Sequence, residues 1–162
     1  MNGRQLYSGL LSLLLASASV TCLADTAAKS QPPKTAPQCM PVIQQAWIRS
    51  APPGAQTLAG YLILKNPCKT SFRVVDVESR DFGMPMIHRT VVENGISKMR
   101  DPGVLEVKPG TSLKFEAGGL HIMLMQPLRA LKEGDKAGVR LVLADGRRVF
   151  SEFPVLKEAP KR

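Results

Sequence analysis

Between Cys39 and Leu156 the apolar residues come in short runs, most of them closed by proline, glycine or an Asn-Gly pair. A chain punctuated this often has no room for a long helix, because proline removes a ladder donor and glycine weakens helix interiors. Short strands remain possible. Candidates are Met40 to Arg49 (stopped by Ala51-Pro52-Pro53-Gly54), Ala59 to Asn66 (stopped by Pro67), and Phe72 to Glu78. Ile87 to Val92 and Ile96 to Arg100 follow, joined by Asn94-Gly95, a strong hairpin signal. Val104 to Val107, Thr111 to Phe115, His121 to Met125, Gly138 to Leu143 and Arg148 to Phe153 complete the series, with Asp145-Gly146 as a second hairpin signal. Eight or nine short strands at near-regular spacing predict an all-β, single-domain sandwich or barrel with Greek-key connections. The one helical turn entertained lies at Gln56 to Ala59.

The N-terminus reads as an export signal. Arg4 precedes an uncharged apolar stretch, Leu6 to Val20, and Cys22-Leu23-Ala24 supplies a small-x-small pattern ahead of Asp25. The stretch is short of the roughly 20 residues that span a bilayer. Residues 1–24 are therefore expected to be a signal peptide cleaved after Ala24, leaving no transmembrane segment. Cys22 raises lipid attachment, but Ser19-Val20-Thr21 lacks the Leu expected three positions ahead of such a cysteine. Residues 25–38 are Ala, Lys, Thr, Gln and Pro with little to bury, and read as a disordered tether. The folded domain is placed at 39–156 and a flexible tail at 157–162.

The chain carries 22 Lys and Arg against 13 Asp and Glu. A basic balance suits nucleic acid, a membrane surface or an acidic protein partner. Nucleic acid is not expected: the chain is exported, aromatics are only 5%, and no Lys/Arg run exceeds two residues. Cys39 and Cys68 survive processing, and an even pair in an oxidising compartment favours a disulfide over two isolated thiolate ligands.

The chemistry concentrates elsewhere. The only histidines are His88 and His121, and five of the seven methionines (Met84, Met86, Met99, Met123 and Met125) fall between them or within four residues of one. In His121-Ile122-Met123-Leu124-Met125 a period of two puts His121, Met123 and Met125 on one face and turns Ile122 and Leu124 toward the core. The same alternation groups Met84, Met86 and His88, and the Asn94-Gly95 turn folds Met99 back beside His88. A single methionine on a strand is ordinarily core filler, and a single histidine is ordinarily a hydrogen-bonding residue. Both histidines lying beside same-face methionines is harder to assign to packing. Thioether and imidazole together suit Cu(I), whereas zinc would recruit Cys, Asp or Glu. A blue-copper carrier needs a thiolate among its ligands, and no Ser/His/Asp set is present, so neither electron transfer nor an enzyme is expected.

At this point the sequence resembles the periplasmic copper chaperones of the PCuAC (DUF461) type. Their motif is His or Met, ten residues, Met, twenty-one residues, then His-x-Met; His88, Met99 and His121-Ile122-Met123 fit it without a gap. Trp47-Ile48-Arg49 with Pro52-Pro53-Gly54, Tyr61 before Asn66, and Gly118-Gly119 ahead of His121 also resemble the family. The resemblance implies a cupredoxin-like Greek-key β-sandwich in the periplasm. It implies one Cu(I) per chain on His88, Met99, His121 and Met123, with Met84, Met86 and Met125 in support. It further implies delivery toward cytochrome c oxidase assembly, to a copper-receiving subunit or a Sco-type protein, by a chain expected to be monomeric. Sequestration for copper resistance is the alternative, with the same site chemistry. The Met/His-rich C-terminal extension of some members, linked to Cu(II), is missing here, so no second site is expected. The cysteine pair lies outside the motif and is read as structural.

Overall fold

The computed structural model describes residues 39–160. The expected signal peptide (1–24), the whole of the expected tether (25–38) and the last two residues of the expected tail lie outside the described residues. Ten strands form among the described residues, one on each of the ten candidate runs, where eight or nine were expected. They are β1 (Val42–Arg49), β2 (Thr57–Lys65), β3 (Phe72–Ser79), β4 (Phe82–Glu93), β5 (Ile96–Arg100), β6 (Leu105–Val107), β7 (Ser112–Phe115), β8 (Leu120–Pro127), β9 (Lys136–Leu143) and β10 (Arg148–Leu156). The helical turn entertained at Gln56 to Ala59 is absent; Thr57 to Ala59 open β2 instead, where Leu58 is buried against the core. No helix of the described residues is long and apolar enough to cross a membrane.

The strands run in the order β5-β4-β8-β2-β1-β10-β9-β3-β6, and β7 also pairs with β2. A parallel pairing of β1 with β10, at Ile48↔Val155 and Arg49↔Leu156, joins the two halves of the sandwich. Between them lies one core. Ile48, Leu62, Leu64, Ile122 and Leu124 enter it from one sheet, and Val74, Val139, Leu141, Phe153 and Val155 from the other, all almost fully buried. The chain changes sheet between β2 and β3, β3 and β4, β5 and β6, β6 and β7, and β8 and β9, so the sandwich is closed by Greek-key crossovers.

Two turns show how local chemistry sets the pairing. Asn94 (φ 52°) and Gly95 (φ 76°) both take left-handed backbone, the requirement of a two-residue type I′ turn, and pin Glu93 opposite Ile96. The second predicted hairpin also forms, but Asp145 is not left-handed. Only Gly146 (φ 84°) is, and Leu143 donates to the Arg147 carbonyl across a three-residue loop. That is the wider hairpin closed by a left-handed glycine.

β4 begins five residues earlier than the Ile87 predicted from sequence, because Pro85 does not stop it. β5 covers only Arg89 to Glu93, so Phe82 to His88 is an open edge beyond which no ladder donor is needed. The alternation does break at Gly83, opposite Gln126 in left-handed backbone (φ 54°). Phe82, which strict alternation would group with Met84, is consequently in the core.

At the far end of β2, Asn66 is fully buried and fully bonded. Its Nδ2 donates to the carbonyls of Thr70 (2.8 Å) and Val107 (2.9 Å), and its Oδ1 accepts from the Cys68 N–H (2.9 Å). One side chain thereby ties the β2–β3 loop to β6. Beside it, Cys39 and Cys68 form the expected disulfide, with Cα atoms 5.8 Å apart across a sequence separation of 29.

Replacing Asn66 by Leu strands the buried Val107 carbonyl and the Cys68 N–H and removes the partner of the part-buried Thr70 carbonyl. The loss is expected to be about 3 kcal/mol, read as a lowered urea midpoint at unchanged m-value. A change below about 1 kcal/mol would show that water reaches these groups. Reduction of Cys39–Cys68 is expected to cost about 3–4 kcal/mol through the freed loop, measured by the same denaturation with and without a thiol reductant.

Candidate metal centre

The outer face of the β4–β8 pair gathers the predicted residues by register alone. His88 stands opposite His121, Met86 opposite Met123, and Met84 opposite Met125. Alternation on β8 holds this arrangement in place, because Ile122 and Leu124 are wholly buried and leave the intervening residues outward. On the other side of β8, Met123 faces Ala59, a small side chain that leaves the thioether uncrowded from β2.

Met99 enters from the hairpin. It pairs with Thr90, two residues along β4 from His88, and so occupies a diagonal position on the same face. Diagonal neighbours are roughly 7–8 Å apart, within reach of a long side chain. Met99 is 58% exposed, whereas His121 is only 6% exposed. The four residues of the spacing motif thus share one face, with Met84, Met86 and Met125 extending it along β4 and β8.

Two contacts orient the imidazoles. His88 Nδ1 lies 2.7 Å from the Met123 sulfur, bringing together two groups that are 35 residues apart. A thioether is a weak acceptor, so the contact returns little energy by itself; its consequence is that two soft donor atoms converge. His121 Nδ1 lies 3.1 Å from the Gly119 carbonyl, which can only accept, so this nitrogen carries the proton and Nε2 keeps its lone pair. An imidazole fixed this way by its second nitrogen is the usual preparation for metal ligation. The two rings sit edge to face with centroids 6.3 Å apart. Gly118 (φ 79°) makes the turn that presents the Gly119 carbonyl.

Charge is sorted to the opposite face. Glu93 receives Lys98 (2.9 Å) and Arg100 (3.0 Å) across the hairpin, and these two cations hold its carboxyl below the usual range, Lys98 contributing most. By register, Glu93, Lys98 and Arg100 alternate away from Met99 and His88. On the methionine face the strand positions are Met84, Met86, His88, Thr90 and Val92 of β4, Ser97 and Met99 of β5, and His121, Met123 and Met125 of β8. None is charged. Among the described residues no group of three or more His, Cys, Asp or Glu comes together; the donor set that does is imidazole and thioether, which suits a soft ion.

Sequence reasoning singled out Trp47, Arg49 and Tyr61 only as features of the family resemblance, not as neighbours of this face. Trp47 and Tyr61 pack with ring centroids 5.0 Å apart, and Arg49 lies 5.9 Å from both centroids. Arg49 pairs with Ala59, itself opposite Met123, so a cation flanks the face on the β1 side. The Trp47-x-Arg49 alternation was visible in the sequence, but only the pairing places it next to the methionines. A concavity of about 750 Å³ between the Pro52–Gln56 loop and Arg129–Leu131 shares no residue with the His/Met face.

Comparison with solved structures defines the class. The chain has the cupredoxin-like fold of PCuAC domains: it superposes on the apo PCuAC domain from PmoF1 with a TM-score of 0.58 at 19% identity, over 73% of this chain and 92% of that one. It superposes on the solution structure of CuI-DR1885 from Deinococcus radiodurans with a TM-score of 0.59 at 28% identity, over 75% and 83%. The chain belongs to the LpqE-like family, whose model, described as that of a lipoprotein, matches residues 42–155. Among curated relatives, the Leifsonia xyli subsp. xyli protein Lxx21020, which carries a lipoprotein name, is 30% identical over 105 residues. That match covers 64% of this chain and 62% of that protein. The Rickettsia prowazekii protein RP573 is 26% identical over 103 residues, 63% and 57%. The chain thus spans less than two thirds of the length of either. A lipoprotein family and a formed disulfide are both properties of exported chains.

The Gly119 contact predicts a single tautomer. Long-range ¹H–¹⁵N correlation on the metal-free protein is expected to show His121 protonated at Nδ1. A tautomer mixture like that of free imidazole would remove the orienting role of Gly119.

Proposed function

We propose that this protein is an exported Cu(I) carrier that holds one ion with His88, Met99, His121 and Met123 and gives it up to an acceptor in cytochrome c oxidase assembly. The observation that carries the reading is the contact between His88 Nδ1 and the Met123 sulfur, with His121 directly opposite His88 and its Nδ1 already committed to Gly119. The solution structure of CuI-DR1885, 28% identical, supports copper as the cargo. Neutral imidazole and thioether donors favour Cu(I) over harder ions. The role is carriage rather than catalysis.

Delivery is favoured over sequestration by exposure. Met99 stands largely in solvent on an edge hairpin, so an acceptor's donor atoms can reach the ion and replace Met99 first, then the more enclosed ligands. The acceptor would be a copper-receiving oxidase subunit or a Sco-type thiol protein, and the basic balance of the chain would speed its approach. The periplasm is the proposed compartment. Cleavage after Ala24 is proposed for the leader. The family's lipoprotein description makes lipid attachment at Cys22 the competing outcome, and the mass of the exported protein decides between them.

Anaerobic Cu(I) titration against a competing chelator tests the site. The wild type is expected to bind tightly, and His121→Ala to bind at least about 100-fold more weakly, since even outer-shell partners of a metal cost 10–100-fold. Because His121 is buried, Met99→Leu serves as a second variant on an exposed position and is expected to weaken binding without altering the unfolding midpoint. Unchanged affinity in both variants would overturn the assignment.

A further inference from the structure

The sequence leads to the expectation of one ion and one site. Register adds what the sequence could not show: Met84, Met86, Met123 and Met125 make two consecutive cross-strand methionine pairs directly beyond the histidine pair. Cross-strand partners have Cβ atoms roughly 4.5–5.5 Å apart, and successive same-face rows along a strand are separated by about 6.8 Å. The histidine row, the Met86/Met123 row and the Met84/Met125 row therefore form a continuous track of soft donors.

Packing does not account for these residues. Met84 is 45% exposed and Met86 is 40% exposed, although a methionine that fills core space would be enclosed. Among the described residues the edge of β4 beside them carries no further strand, since β5 covers only Arg89 to Glu93. Two of the thioethers thus lie largely open, next to an uncovered edge, on a face without carboxylates. Met123 belongs to both halves of the track. Its sulfur touches His88 Nδ1, while its strand partner is Met86.

We propose that Met84, Met86 and Met125 form a second, thioether-only position for a soft monovalent ion, Cu(I) or Ag(I), adjoining the four-ligand site and sharing Met123 with it. The proposal rests on the copper reading above. Neutral thioethers alone bind more weakly than a set containing two imidazoles, so the second position loads after the first. The ion moves by ligand exchange: its bonds to Met84 or Met86 lengthen as those to Met123 and then His88 form, with no change of oxidation state. The position thereby acts as a landing or departure point along the open edge.

The test uses the full mature chain with ¹³C-methyl methionine, titrated with Ag(I) and, anaerobically, with Cu(I). Stoichiometry is read by native mass spectrometry. Two ions per wild-type chain are expected, the Met99 methyl shifting during the first equivalent and the Met84, Met86 and Met125 methyls during the second. The variant Met84→Leu/Met86→Leu/Met125→Leu, nearly volume-conserving, is expected to keep the first ion and to bind the second at least tenfold more weakly. One ion per chain with the three methyls unmoved would overturn this proposal and leave the four-ligand site standing. No ion at either stage would overturn both. Second-ion binding unchanged in the triple-leucine variant would place that ion elsewhere and also overturn it.

Discussion

Burial of Ile122 and Leu124 governs the arrangement of the whole His/Met surface. Both side chains are at 0% exposure in the centre of the sandwich. Since side chains on a strand alternate strictly, fixing those two inward fixes His121, Met123 and Met125 outward. A slip by one residue would drive an imidazole and two thioethers into the core and expose two large aliphatics. The neighbours on both sides confirm the same setting. Ile122 pairs with Ile87 of β4 and with Gly60 of β2. A side chain at Gly60 would come within 3.3 Å of Leu124 and 3.5 Å of Ile122, so the strand bearing those residues is pressed close against β2. Hydrophobic packing, rather than any polar contact at the site, thus sets which donors face one another.

From that fixed strand the surface loosens stepwise. His121 and Met123 sit on a strand paired on both sides; His88 sits on β4, open beyond Arg89; Met99 sits on β5, the outermost strand of its sheet. The hairpin that carries Met99 is held by its Asn94-Gly95 turn and by exposed ion pairs from Glu93. Such pairs are weak, because solvent and salt screen them. The gradient runs from a ligand whose displacement would disturb the core to one whose displacement disturbs a turn. A carrier that must part with its cargo needs this asymmetry, because exchange can begin at the loose end without unfolding the rest.

Much of this was legible in the sequence, for definable reasons. Short alternating runs and their punctuation announced the strands, Ile96–Arg100 with its own bounds, because a hairpin turn and a half-buried face are local properties. Alternation on residues 121–125 gave the facing of all five. What stayed hidden was non-local. The strand predicted from Ile87 begins at Phe82, and Pro85 within it is harmless because, among the described residues, no strand pairs with that part of β4 on its outer edge. Phe82 has the parity of Met84 and yet is buried, because Gln126 on a different strand takes a left-handed conformation. Gln56 to Ala59 carried no strong strand signal; pairing with β8 and burial of Leu58 decided it. The opposition of His88 to His121, 33 residues away, follows from strand pairing that no local pattern encodes.

The neutrality of the site has an electrostatic consequence that explains its location. A face whose strand positions from β4, β5 and β8 carry no carboxylate offers a monovalent cation donor atoms but no compensating charge from those positions, and Arg49, which flanks it on the β1 side, is itself positive. An uncompensated cation in a low-dielectric interior costs many kcal/mol. Such an ion can be held by soft neutral donors only where water shares its solvation. Placing Asp or Glu among the ligands would relieve the cost, but it would also welcome hard divalent ions and strengthen retention. Outward-facing methionines on an edge of the sheet meet both demands: the ion stays near solvent, and what holds it is chosen for softness. The exposure of Met84, Met86 and Met99, which would be a liability in a core, is on this account the condition under which a neutral site can carry a charge.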